Sequence, residues 1–327
     1  MKPIPVIVCI DVEPDQVQID INLCAPWRGF VETHKFFSKL RPQLELATNS
    51  PVRFSWFLRM DPQVEHGYRS ATWVAEQHAD ILADLQTKED ELGLHVHAAR
   101  WDEVSVGWIG DYRDQQWVTR CVTMSFAAFQ AALRRPCRSV SLGDRWSNNE
   151  TVALLESLGA EYDLGIEPGG KPSGSELGYR FTGVWPDYGE VPTRPYQPSC
   201  VNYRREQPGP ARNIWIIPLS AGKYEGAKAF RFWRLKRLAR SLGIDRHRNS
   251  ESQTLKLHIP PDLFRRTLDG LLKVSKTPYL AMVVRSEVCL EPRRRKNLES
   301  NVDYLHGHPQ IRNFRFATPQ EAIQILT

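Results

Sequence analysis

Four side chains near the start of this 327-residue chain are spaced so that they could hold a cation between them. Asp11 and Glu13 end an apolar run, Pro5–Glu13 (PVIVCIDVE), that reads as a buried strand. Alternate residues of a strand point to one side, so the two carboxylates face the same way. Unpaired charges after a buried run are costly. Two on one side suit a divalent cation, or one can bind the ion while the other takes a proton. A solvated strand-end turn opened by Pro14, with Asp15 beside it, accounts for the acids equally well. His95 and His97 end a second run, Glu91–His97 (ELGLHVH), with the same spacing. Two imidazoles aimed at one point suit zinc or a similar ion. The plainer reading is a polar pair at a sheet rim. Taken together, the two pairs favour a metal and leave coordination positions open, as a catalytic site requires.

Strands and helices must alternate to bring those pairs together. After the first strand, helical spacing covers His34–Thr48, Tyr68–Glu89 and Trp117–Leu133, and strand-like runs cover Val52–Met60, Glu91–His97 and Arg138–Leu142. A helix over Asn149–Leu158, stopped by Gly159, leads to a strand over Tyr162–Ile166. Residues 167–212 are rich in Gly and Pro and read as a long loop insertion. The alternation then resumes with a strand (Asn213–Leu219), helices (Gly226–Leu242, Pro261–Ser275), a strand (Tyr279–Val284), a helix (Arg293–Leu305) and a closing strand and helix (Phe314–Phe316, Pro319–Ile325). Such alternation implies an α/β fold with a parallel sheet covered by helices, closed or nearly closed, in one domain over residues 1–327. Sites in this architecture form where strands end.

Composition narrows the class. Hydrophobic residues make up 41% and charged residues 25%, as in an ordinary globular protein. A net charge of +5 is too mild to argue for nucleic acid, and no motif supports it. Ten Trp and ten Tyr offer faces for sugar rings, although they also fill cores. Six scattered cysteines without a CxxC pair point to reduced thiols. The short N-terminal apolar run is no signal peptide, and nothing nears the roughly 18 apolar residues that cross a bilayer, so a cytoplasmic location is expected.

Four ordered stretches resemble the polysaccharide-deacetylase (NodB-like, carbohydrate esterase family 4) superfamily. Ile10–Glu13 (IDVE) looks like its first motif, and Glu91–His95 (ELGLH) is similar to its second, which begins the histidine pair. Gly143–Trp146 (GDRW) followed by Asn148–Asp163 (NNETVALLESLGAEYD) resembles the third motif and its helix. Asn313–Ala322 (NFRFATPQEA) resembles the closing strand and helix. The resemblance implies a distorted (β/α)7-type barrel of NodB homology. It also implies metal-dependent hydrolysis of an N-acyl, acetyl-type group on a sugar or glycan. Mapped onto this chain, it makes Asp11 the general base, and it makes Asp11, Glu13, His95 and His97 the candidate ligands of a divalent metal, zinc the expected ion. Arg145 would steady the base carboxylate through charge-assisted hydrogen bonds.

Three departures mark the chain as a divergent member. The family spaces its histidines as HxxxH, whereas position 99 is Ala and the second ring must be His97. The third-motif arginine normally precedes the turn; here Ser141-Leu142 stands there and Arg145 follows. The last strand, which often ends in an acid histidine, ends in Arg285-Ser286-Glu287. Arginine is a poor acid at neutral pH but can stabilise an oxyanion. A catalytically degenerate barrel that binds a glycan or protein partner is therefore the alternative. Residues 226–242 carry six basic side chains among Phe230, Phe232, Trp233 and leucines. They read either as an outer barrel helix, the favoured reading, or as a peripheral membrane contact for a lipid-linked sugar in surface-polysaccharide synthesis.

Overall fold

All nine residues of the first strand, β1 (Ile4–Val12), are buried. A strand hidden on both faces belongs inside a parallel sheet that helices cover. The computed structural model, which describes residues 2–16, 19–21, 25–172, 180–183, 185–223, 252–274 and 278–327, places it there. The other strands are β2 (Ser55–Arg59), β3 (Glu91–Val96), β4 (Ala99–Asp102), β5 (Gly107–Asp111), β6 (Ser139–Leu142), β7 (Tyr162–Asp163), β8 (Arg180–Thr182), β9 (Trp215–Ile216), β10 (Ala221–Lys223), β11 (Ser252–Thr254), β12 (Leu280–Arg285) and β13 (Phe314–Phe316). The helices are α1 (Arg28–Thr48), α2 (Pro62–Tyr68), α3 (Trp73–Gln77), α4 (Ala79–Thr87), α5 (Gln115–Leu133), α6 (Asn149–Ser157), α7 (Pro261–Val274), α8 (Pro292–His306) and α9 (Pro319–Leu326).

The main sheet runs β12-β1-β2-β3-β6-β7-β9, with β13 beside the start of β1, and its ladders are all parallel. Its two edges approach each other through irregular chain rather than a ladder. Ser220 N donates to Ala281 O at 2.8 Å, and Leu257 N to Val283 O at 3.0 Å. This curled sheet with an irregular seam is the nearly closed β/α barrel expected from the alternation, with the distortion that the resemblance implies.

The pleat divides each strand between two cores. Val6, Val8 and Ile10 of β1 pack in the outer cluster with helix residues such as Phe37, Leu44 and Leu298. Ile7 and Cys9 join Phe57, Leu164, Ala281 and Val283 in an inner cluster. Ala322 and Ile323 of α9 belong to that inner cluster, so the C-terminal helix closes the end of the barrel where the strands begin. The other end, where strands finish, is left for polar groups.

Some elements differ from the sequence reading. The single helix expected over Tyr68–Glu89 is broken. Arg69 takes a left-handed φ of 64° that ends α2, and His78 (φ −125°) separates α3 from α4. Residues 99–111, given no element from sequence, form the hairpin β4–β5, which β8 joins from within the expected 167–212 loop. The basic stretch 226–242 lies outside the described residues. Among the described residues no helix is long and apolar enough to cross a membrane.

Candidate metal centre

The inward columns of β1, β2, β3, β6 and β12 end in polar or charged residues at one mouth of the barrel. On β1 it runs Ile7, Cys9, Asp11 and then Glu13 just past the strand; on β3 it runs Gly93, His95 and then His97. β2 contributes Arg59, β6 Ser141 and β12 Arg285. Glu13, His95 and His97 are buried, and one ligand atom from each lies within 4.8 Å of the others. Asp11 borders this trio from the opposite edge of the His95 ring. Its Oδ1 is 3.7 Å from His95 Nδ1 and takes a 3.4 Å hydrogen bond from Ser141 Oγ.

The two imidazole rings meet edge to face, with Nε2 atoms 3.0 Å apart. Each Nδ1 already has an acceptor. His95 Nδ1 lies 2.7 Å from the Ser141 carbonyl, and His97 Nδ1 lies 3.1 Å from Asp144 Oδ2. A neutral ring that donates from Nδ1 presents a lone pair at Nε2. Two lone pairs facing each other at that distance repel unless a proton or a cation lies between them. Glu13 completes the group, with Oε1 3.5 Å from His95 Nε2 and Oε2 3.8 Å from His97 Nε2. The donor set, two imidazole nitrogens and a carboxylate with Nδ1 acceptors behind them, fits zinc or a similar ion.

Charge around the trio is unbalanced. Arg59 Nη1 is 3.3 Å from Glu13 Oε2, and its Nε and Nη2 form a fork on Asp61 at 2.5 and 3.1 Å. Arg285 Nε lies 3.0 Å from Glu13 Oε1 and 2.8 Å from Glu287 Oε1, though neither contact is aligned as a hydrogen bond. Asp11, Glu13, Asp61, Asp144 and Glu287 thus outnumber these two guanidiniums. Burial would push the Glu13 carboxyl up, but Arg285 and the two histidines hold it well below the usual range. Burial pushes Asp11 up, and the neighbouring His95 offsets only part of the rise. Burial would depress His95, yet Asp11 and Glu13 beside it carry its pKa above the ordinary value. Burial also raises Glu287, against the pull of Arg285.

Of the residues expected at the site, Asp11, Glu13, His95, His97 and Arg285 do meet at the mouth. Arg145 does not take the place expected for it beside Asp11. Asp144 and Arg145 both adopt left-handed φ (53° and 57°), which turns the chain after β6. Arg145 lies over the Trp185 ring at 4.6 Å, with Nη1 3.6 Å from Glu167. Sequence reasoning missed Arg59, Asp61, Tyr112, Asp144 and Glu287. Arg59 had a signal, since it ends a strand on the inward register of Ser55 and Phe57.

No family profile matches the sequence, and no curated protein does. Solved structures do match in shape. One, from Parabacteroides distasonis and provisionally assigned as a glycoside hydrolase/deacetylase, gives a TM-score of 0.57 at 11% identity, over 99% of this chain and 71% of that one. The chain shares that fold. A provisionally assigned polysaccharide deacetylase from Pseudomonas aeruginosa PAO1 gives 0.48 at 11% identity, over 99% of this chain and 91% of that one. Another from Mycobacterium smegmatis gives 0.44 at 13% identity, over 99% and 90%.

Proposed function

We propose that the chain is a metal-dependent hydrolase that removes an N-acyl group from a sugar or glycan, as a divergent polysaccharide deacetylase. The observation that carries this reading is the pair of facing Nε2 atoms, each with its Nδ1 already engaged, closed by Glu13. The shared fold adds support, because the Parabacteroides protein carries a deacetylase assignment. Glu13, His95 and His97 would hold the ion, with zinc the proposed species and Asp11 adjacent. When bound, the ion polarises an acyl carbonyl and lowers the pKa of water.

The side chains divide the remaining work. Asp11, pushed up by burial, takes the proton of the attacking water. Arg285 stays charged and stabilises the developing oxyanion. The leaving amine needs a proton, and Glu287, next to Arg285 and also pushed up, is the carboxyl placed to supply it. Arg145 sits on Trp185 beside Glu167 and has no part in steadying Asp11 in this reading. We extend the reading to a cytoplasmic, membrane-peripheral enzyme of surface-polysaccharide synthesis that acts on a lipid-linked sugar, on the strength of the basic and aromatic residues in 226–242.

One observation favours a second reading, the degenerate barrel that binds a glycan or protein partner. Two guanidiniums already meet Glu13 and answer its charge without an ion. The test is metal analysis of the purified chain together with acetate release from N-acetylated oligosaccharides. We expect about one divalent ion per chain, lost in His95→Ala together with hydrolysis. A chain that takes up no divalent ion, and in which His95→Ala changes nothing, leaves only the binding barrel.

A further inference from the structure

The two histidines are seated differently. His95 Nδ1 faces a backbone carbonyl, that of Ser141, which no substitution removes. His97 Nδ1 faces a side chain, Asp144. The same Asp144 oxygen accepts the Tyr112 hydroxyl at 2.7 Å. The Asp144 side chain is buried and the residue sits at a left-handed φ of 53°, a conformation that Asp and Asn tolerate better than most residues with a Cβ. Tyr112 follows directly after β5 and stacks on Trp146 at 5.0 Å. The hairpin β4–β5 follows His97 in the chain and also reaches its ring through the Tyr112 hydroxyl and the Asp144 carboxylate, and it gives the centre no ligand of its own.

We propose that Asp144, seated by Tyr112, is the positioning residue that keeps the His97 Nε2 lone pair turned toward Glu13 and His95, so that the hairpin sets the ion affinity of the site. The proposal rests on the metal reading above. A neutral imidazole carries one proton, and the partner of one nitrogen decides which atom holds it. With a carboxylate at Nδ1 the proton stays there. Without that carboxylate the proton can move to Nε2, which lies 3.0 Å from His95 Nε2. The two rings would then form an ordinary N–H···N hydrogen bond and satisfy each other. Asp144 prevents self-closure by a His97 proton and keeps the His97 lone pair available to a cation.

The experiment has two readouts on the full chain. Zinc affinity is measured by competition with a chelator. The His97 tautomer is read in the metal-free protein from long-range proton–nitrogen correlation spectra of nitrogen-15-labelled histidine. Asp144→Gly keeps the left-handed turn and removes the carboxylate. It is expected to weaken zinc binding by about 10–100-fold and to move the His97 proton to Nε2, while the His95 proton stays on Nδ1 opposite the Ser141 carbonyl. Asp144→Asn retains an acceptor and should recover most of the loss. Tyr112→Phe removes one hydroxyl, keeps the ring on Trp146, and should weaken binding by about threefold to tenfold. Circular dichroism confirms that each variant is folded, and Tyr112→Phe carries the test if Asp144→Gly is not. Affinity within about twofold of the parent in Asp144→Gly, or a His97 proton already on Nε2 in the parent, overturns the proposal. If the parent binds no ion, the metal reading fails, and the tautomer measurement still decides whether Asp144 positions His97.

Discussion

Gly143 and His97 compete for one space. A Cβ built on Gly143 would overlap the His97 ring, which is buried and has little freedom to retreat. Gly143→Ala should therefore push the imidazole off Asp144 and out of line with Glu13. We expect ion affinity to fall by at least about tenfold, while overpacking costs about 1–3 kcal/mol of stability. Chelator competition and thermal unfolding measure both, and an Ala variant with undiminished affinity would mean that the ring has room. At this scale the sequence was legible wherever a period of two applies. Asp11/Glu13 and His95/His97 end strands, so their sides follow from spacing alone. Asp144 and Arg145 follow a strand in successive left-handed residues, where no periodicity says which way a side chain turns. The resemblance to the third motif puts Arg145 beside Asp11, whereas this turn carries it against Glu167 and Trp185.

Short elements around the mouth are held by single polar residues. Asp61 is fully buried and caps α2, accepting from Gln63 N at 3.1 Å and Val64 N at 3.3 Å. It also accepts His97 N at 3.0 Å and takes the fork of Arg59. Asp61→Ala would leave the Arg59 guanidinium buried without its two bonds to that carboxylate. We expect a loss of about 3–5 kcal/mol from that charge, and a smaller loss in Asp61→Asn, which keeps the caps. Denaturant unfolding of the two variants separates cap from charge; equal losses would contradict this division. The elements that sequence reasoning misjudged share a cause. Apolar spacing over Tyr68–Glu89 reports which face is inward, but not that Arg69 and His78 leave helical geometry. The hairpin β4–β5 consists of two short, half-buried strands, too brief for their alternation to stand out.

Across the whole molecule, strand–helix alternation conveyed the barrel but not its seam, because the chain that closes it forms almost no ladder. Two buried carboxylates near that seam titrate in opposite directions. Glu167 meets Thr254 Oγ1 and Lys256 Nζ, both at 2.8 Å, and so ties the chain after β7 to β11 and the segment beside β12. Burial would raise it, but Lys256 and Arg145 hold it at about 2. Its folded value is below its unfolded value, so its contribution is present above about pH 4.5 and is lost as pH falls toward 2. Asp163 on β7 has one backbone bond, from Gly165 N, and an Oδ2 without a partner. Burial pushes it up to about 6. Its folded value exceeds its unfolded value, so the protein loses stability as pH rises from about 4 through 6. Asp163→Asn removes that loss and should be more stable than the parent by up to about 3 kcal/mol at pH 7–8, with the advantage gone below about pH 4. Glu167→Gln should be less stable than the parent by about 3 kcal/mol at pH 7, and the gap should close toward pH 2. Denaturant midpoints of parent and variants across pH 2–8 give both differences. Differences that stay flat with pH would mean that these carboxyls titrate in the folded barrel as they do in the unfolded chain, and that the seam does not depend on their charge.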